Sequence, residues 1–185
     1  MPTLDLAIGL LALGLVVAAA PAGAQSYTAG GVRAEIIYKI LTFADWPVHS
    51  RPAEGEPFCL ATLGSDPLIA SLGSALRDRT LGGRPIRLVT ARSADEVLDC
   101  QALYFGRLGR DEMEEAFRSL AGRGILTFAQ QPDFLARGGM IFLPPPGGEH
   151  GIEVHLPNTR QADLHLSSEL LRMERVRVVQ RPPPS

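Results

Sequence analysis

Short apolar runs alternate with helical segments along most of this chain, and the alternation constrains the fold more than any other feature. Six runs are rich in side chains that favour β-structure and are bounded by turn residues. They predict strands at 58–63, 86–90, 102–105, 125–129, 140–143 and 152–156. The first four strands alternate with helices, which favours parallel pairing through right-handed crossovers. The Pro/Gly tract at 144–151 instead predicts a hairpin between the last two strands.

Helices are predicted between the strands and at both ends of the domain. Besides the opening helix, they lie at 67–77, at 93–98, at 110–120, from 158 onward and at 167–178. Asp66 is the predicted N-cap of the first of these, with Pro67 at its first turn. The sequence therefore predicts one α/β domain of three layers, with a mixed, mostly parallel sheet of about six strands flanked by helices.

The opening helix is predicted from an apolar stripe at helical spacing that ends at a proline. Pro47 stops the helix, because the residue before a proline is displaced from the helical region. The stripe consists of Val32, Ile36, Ile40 and Phe43, and it is widened by Ile37, Leu41 and Ala44. Its members Ile36, Ile40 and Phe43 are expected to be buried in the core.

Trp46, the only tryptophan, is placed at the exit of this helix. An aromatic side chain there is either part of the core or a platform for a ligand or partner, where tryptophan is enriched. Lys39 and Asp45 frame such a site in the second interpretation. Both alternatives stay open at the level of sequence.

The N-terminal segment predicts export. Residues 4–20 are almost entirely apolar and lead to the small residues Ala22, Gly23 and Ala24. Residues 1–24 therefore resemble a cleaved signal peptide, although a basic n-region is missing and an uncleaved anchor is the alternative. This predicts a periplasmic protein with a domain at 25–180 and a disordered tail at 181–185. The net charge of −2 argues against nucleic acid as a partner.

Cys59 and Cys100 are the only cysteines. An even pair in an exported chain, each beside a predicted strand, indicates a disulfide bond. Two buried free thiols are the alternative.

The sequence shows no pattern that is typical of a catalytic site. The chain lacks the sequence motifs of serine hydrolases, P-loop proteins and dinucleotide-binding proteins. Its histidines do not take the spacing of a metal site; they are His49, His150, His155 and His165. The sequence therefore predicts no catalytic residues, no metal and no cofactor.

Motifs spread over nearly the whole domain resemble those of one family, the YfiR family. The opening helix closes in Phe-Ala-Asp-Trp-Pro, the first strand is followed by Gly-x-Asp-Pro, and the third begins with Cys and ends in an aromatic residue. The fifth carries Gly-Gly-Met-Ile, and the closing helix reads Ser-Ser-x-Leu-Leu. The ordered set is what makes the resemblance specific.

This resemblance implies a regulator rather than an enzyme. It implies a periplasmic homodimer that represses a membrane diguanylate cyclase or histidine kinase through the partner's periplasmic domain, linking envelope stress to cyclic-di-GMP and biofilm formation. The alternative is a periplasmic module that binds a small molecule at the carboxyl ends of the strands. A hydrolase is a third interpretation.

Two positions depart from the family pattern. His155 stands where the family usually has Asn, and Asp163 stands where Gly is common. The candidate residues for binding a partner or ligand are Lys39, Asp45, Trp46 and His155.

Overall fold

A computed structural model describes residues 29–145 and 151–180 as a central sheet with helices on both faces. The predicted signal peptide, the tail at 181–185 and His150 lie outside the described residues. The helices are α1 (Ala29–Thr42), α2 (Leu68–Leu76), α3 (Arg110–Leu120), α4 (Leu156–Gln161) and α5 (Ser168–Leu171). The strands are β1 (Ala44–Asp45), β2 (Phe58–Leu63), β3 (Thr80–Leu81), β4 (Arg84–Ala91), β5 (Ala102–Phe105), β6 (Leu126–Ala129), β7 (Ile141–Phe142), β8 (Ile152–His155), β9 (His165–Leu166) and β10 (Val176–Val179).

The main sheet has the order β10-β8-β7-β6-β5-β2-β4-β3. Its pairs are parallel except for β3–β4 and β7–β8, so the predicted parallel core and closing hairpin are both confirmed. All six predicted strands are present, but the sheet has eight strands rather than about six. A separate two-stranded ladder joins β1 to β9 in antiparallel fashion.

The C-terminal helix predicted at 167–178 is wrong beyond its first turn. Helix α5 ends at Leu171, and the chain then forms β10, which pairs in parallel with β8. The β-branched residues Val176, Val178 and Val179 favour this edge strand. The predicted helix at 93–98 is likewise a short 3-10 turn at Ala94–Val97.

Helices cover both faces of the sheet, which confirms the three-layer α/β architecture. Along β2, Phe58 and Leu60 face the layer of α1 and α2, whereas Cys59, Ala61 and Leu63 face the layer of α3. All six residues of β2 are buried. A strand covered on both faces needs a nearly continuous apolar sequence rather than an alternating one, and β2 has it except at Thr62.

Helix α1 ends earlier than predicted, and its most buried side is the part of the predicted stripe that carries Ile37, Ile40 and Leu41. It stops at Thr42, because the following residues form β1 against β9 instead of a last helical turn before Pro47. The buried face consists of Ala34, Ile37, Ile40 and Leu41. Ile36 and Phe43 are partly buried against the core. Val32, at the start of the stripe, is 44% exposed.

We expect Ile40→Ala to lower the free energy of unfolding by about 2–5 kcal/mol, the usual range for truncating a buried aliphatic side chain. Ile40 is 1% exposed and lies in the core cluster beneath α1. Urea denaturation followed by circular dichroism measures the loss. Val32→Ala on the same helix is the matched control, and a loss below about 1 kcal/mol for Ile40→Ala would contradict burial of this face.

The departure at Asp163 has a backbone explanation. Asp163 is exposed and takes a φ of 57°, in the left-handed region that glycine adopts without strain. Aspartate tolerates this conformation better than most residues. The position therefore requires a turn geometry, and the structure gives its side chain no contact that indicates recognition.

Candidate functional site

Cys59 and Cys100 form a disulfide bond, with their Cα atoms 4.6 Å apart. The bond joins the start of β2 to the residues just before β5, which is the neighbouring strand in the sheet. The predicted disulfide is confirmed, and the alternative of two free thiols is wrong.

Gln101, next to the disulfide, is a hydrogen-bonding hub whose role the sequence analysis missed. Its buried side-chain oxygen accepts from the backbone N–H of Cys59 at 2.8 Å. Its side-chain amide donates to the carbonyls of Ser50 and Asp99 at 3.1 and 3.0 Å. The only sequence signal was a polar residue at the start of an otherwise apolar run. Gln101 fixes the disulfide, β2 and the loop after α1 relative to one another.

Trp46 belongs to the core rather than to an exposed platform. The side chain is 8% exposed, and its indole N–H donates to the carbonyl of Gln101 at 2.7 Å. Its ring contacts Phe58 edge-on, with centroids 5.0 Å apart. Both the apolar ring and the polar N–H of Trp46 are therefore satisfied inside the protein.

The residues around Trp46 form an exposed patch, which we call the Val48 surface: Asp45, Val48, His49 and Arg51. Val48 is 82% exposed at the start of a 3-10 turn. Arg51 pairs with Asp45 at 2.9 Å and donates through Nε to the carbonyl of Trp46 at 2.8 Å. The buried tryptophan thus anchors a loop whose outer side is available for contacts.

Lys39 and His155 lie away from this surface. Lys39 is exposed on α1 and lines an apolar groove. His155 is 2% exposed, and its Nδ1 accepts from the N–H of Asn158 at 3.3 Å, so it caps α4. The four predicted candidates therefore do not form one site, and only Asp45 and Trp46 are neighbours.

The crevice in which open α/β sheets usually bind ligands is closed by backbone. It lies beyond the carboxyl ends of β2 and β5, because α2 and α3 leave these strands towards opposite faces. There the N–H of Arg107 donates to the carbonyl of Ser65 at 2.9 Å. A Cβ atom on Gly106 would lie 2.8 Å from the Ser65 nitrogen, and one on Gly64 would lie 2.8 Å from Leu108 Cδ2. A small cavity of about 210 Å³ remains beside this contact.

Two larger cavities lie elsewhere. A polar cleft of about 480 Å³ lies over the disulfide, between the Val48 surface and the amino ends of the strands. An apolar groove of about 430 Å³ runs along α1, next to α5 and the start of β10. The groove is lined by the predicted candidate Lys39 and by Leu143 and Pro144, which follow the carboxyl end of β7, so it lies at the end of the sheet where a ligand was expected. The polar cleft lies at the opposite end.

Tyr104 is a buried titratable group near the closed crevice. Burial, together with the neighbouring Asp66 carboxylate, raises the pKa of its phenol far above the ordinary value, despite a hydrogen bond from the Gln130 amide at 3.0 Å. The phenol therefore stays neutral at physiological pH and does not act as a base.

Neither a metal-binding cluster nor a membrane-spanning helix is present among the described residues. Within 29–145 and 151–180, His, Cys, Asp and Glu side chains form no group of three suited to a metal ion. The same part of the chain contains no helix that is both long and apolar enough to cross a bilayer.

The fold and the site define a disulfide-bonded, three-layer α/β domain built around the Trp46–Gln101 contact. A family described as YfiR/HmsC-like matches residues 31–175, and the chain belongs to this family. Membership supports, at the level of the family, a periplasmic regulator acting on a diguanylate cyclase. No curated protein matches the sequence.

Proposed function

We propose that this protein is a periplasmic regulator that binds the periplasmic domain of a membrane diguanylate cyclase and represses it. The family match over residues 31–175 carries the proposal, because it extends from α1 to the residue before β10. A histidine kinase is the alternative partner of the same class. In this proposal the protein acts as a homodimer and controls cyclic-di-GMP and, through it, biofilm formation.

Two features of the molecule support an exported, regulatory role. The disulfide between Cys59 and Cys100 suits an oxidising compartment. The apolar segment at 4–20 has the character of an export signal. The closed crevice at the ends of β2 and β5 removes the usual ligand site of such folds. These observations favour a protein that works through a surface over one that works through that crevice.

The Val48 surface is the partner-binding surface in this proposal. Val48 is the most exposed large apolar side chain among the described residues, and it follows directly on the buried anchor Trp46. Full burial of an exposed valine side chain at an interface contributes about 1.5–3 kcal/mol. Binding to one conformation of the cyclase would shift its population towards the inactive state.

Val48→Asp tests the surface. We expect it to weaken co-purification with the membrane cyclase at least about tenfold and to raise cyclic-di-GMP to the level of a deletion strain. Ser93→Asp is the matched control, because it adds the same charge to an exposed residue at the opposite end of the strands. Aspartate is also a good residue at the N-terminus of a helical turn, so the control is expected to fold and to repress normally.

Different outcomes separate the parts of the proposal. Normal repression by Val48→Asp in a strain that needs the protein would exclude the Val48 surface but not the regulator. A deletion strain with unchanged cyclic-di-GMP and unchanged kinase output would contradict the regulatory function itself.

A further inference from the structure

The groove along α1 has an apolar interior. Its floor consists of Ile40, Leu143 and Leu170, each about 1% exposed. Its walls are partly exposed apolar residues from α1, from the start of β8 and from the segment that leads into β10; they are Val32, Ile36, Ile152, Met173 and Val176. Its volume of about 430 Å³ lies in the range of small-molecule sites.

Among the described residues, the charged side chains that line this groove are all cationic. Arg33, Lys39 and Arg175 line it, and none of the described lining residues is acidic. Lys39 and Arg175 are exposed, so their charges lie at the mouth of the groove. The whole chain has a net charge of −2. The three cations therefore give the groove a local positive charge, opposite in sign to that of the whole protein.

Arg33 is held in place by the far side of the groove. Its Nε and Nη2 both donate to the carbonyl of Pro144, at 3.1 and 2.8 Å. A guanidinium has five N–H donors, so donors remain for an anion after these two bonds. The guanidinium of Arg33 is therefore fixed beside the apolar wall and still has N–H donors for a ligand.

We infer that this groove binds a small amphiphilic anion, a carboxylate on a hydrocarbon tail. The apolar floor and walls would take the tail, because each buried methylene contributes about 0.8 kcal/mol. The three cations would take the carboxylate, and they would disfavour a cationic head group on the same tail. The inference does not depend on the identity of any membrane partner.

Decanoate is the probe, and decyltrimethylammonium is its counterpart with a tail of the same length and the opposite charge. Isothermal titration calorimetry on the purified, delipidated protein, below the micelle concentrations, is expected to show one saturable site for decanoate. Binding of the cationic probe is expected to be at least about tenfold weaker. Lys39→Glu and Arg175→Glu are each expected to weaken decanoate binding about tenfold.

Arg87→Glu is the matched control, because it makes the same charge change at an exposed residue that lines the polar cleft and not the groove. It should leave decanoate binding unchanged, and thermal melting checks that all variants are folded. Val32→Glu places a carboxylate on the wall itself and is expected to abolish binding of decanoate.

Three binding results would overturn the inference. They are absence of saturable decanoate binding, equal affinity for the two probes, and equal losses in Arg87→Glu and Lys39→Glu. Sedimentation measured in parallel tests a second copy of the chain as the occupant. Self-association that is lost in Val32→Glu and is insensitive to decanoate would assign the groove to a protein interface and reject the anion site.

Discussion

Replacing Cys59 and Cys100 together by alanine is expected to lower the free energy of unfolding by about 4 kcal/mol. The bond closes a loop between residues 41 positions apart, so its loss returns considerable conformational freedom to the unfolded chain. Both cysteines are buried on the α3 face of the sheet, and alanine keeps that site apolar. Urea denaturation of the double variant and of the native protein measures the difference.

A reducing agent provides the control for this prediction. It should destabilise the native protein by a similar amount and leave the alanine double variant unchanged, because the variant has no bond to reduce. A difference below about 1 kcal/mol between the native protein and the double variant would show that the bond adds little to stability.

The strands of the sheet interior could be predicted because burial on both faces imposes a continuous apolar sequence. β2 and β5 match their predicted ranges for this reason. β10 could not be predicted in the same way. Leu170 and Met173, which precede β10, are spaced as in a helix, and this favoured the wrong prediction. Only the pairing of β10 with β8, which is remote in sequence, decides between helix and strand.

The candidate site was less predictable, because its parts meet only in space. The motif around Trp46 marked a structurally important position, but the sequence did not decide whether the ring faces inwards or outwards. That depends on Gln101, 55 residues away, whose carbonyl accepts the indole N–H. The apolar groove was even less predictable from the sequence, because Arg33 and the Pro144 carbonyl that holds it are 111 residues apart.

The interior position of Trp46 and the exposed position of Val48 assign different roles to two residues of one loop. A variant that fails to regulate because it unfolds must therefore be separated from one that fails because it has lost a contact. Stability and cyclic-di-GMP output measured on the same variants make this separation.

Trp46→Ala is expected to lower the free energy of unfolding by about 3–5 kcal/mol, the range for truncating a large buried aromatic side chain. The substitution removes the edge-on contact with Phe58 and the hydrogen bond to the Gln101 carbonyl. Urea denaturation followed by circular dichroism is the suitable measurement, because the variant has no tryptophan fluorescence.

Trp46→Phe distinguishes a core role from a direct role in binding. Phenylalanine keeps an aromatic ring against Phe58 but cannot donate to Gln101, so we expect a smaller loss than for alanine, with the hydrogen bond contributing about 1 kcal/mol. Since the ring is 8% exposed, Trp46→Phe should still repress cyclic-di-GMP synthesis at a temperature at which it is folded. Loss of repression by a folded Trp46→Phe variant would mean that the partner contacts the indole itself, which requires the loop carrying Trp46 to open when the partner binds.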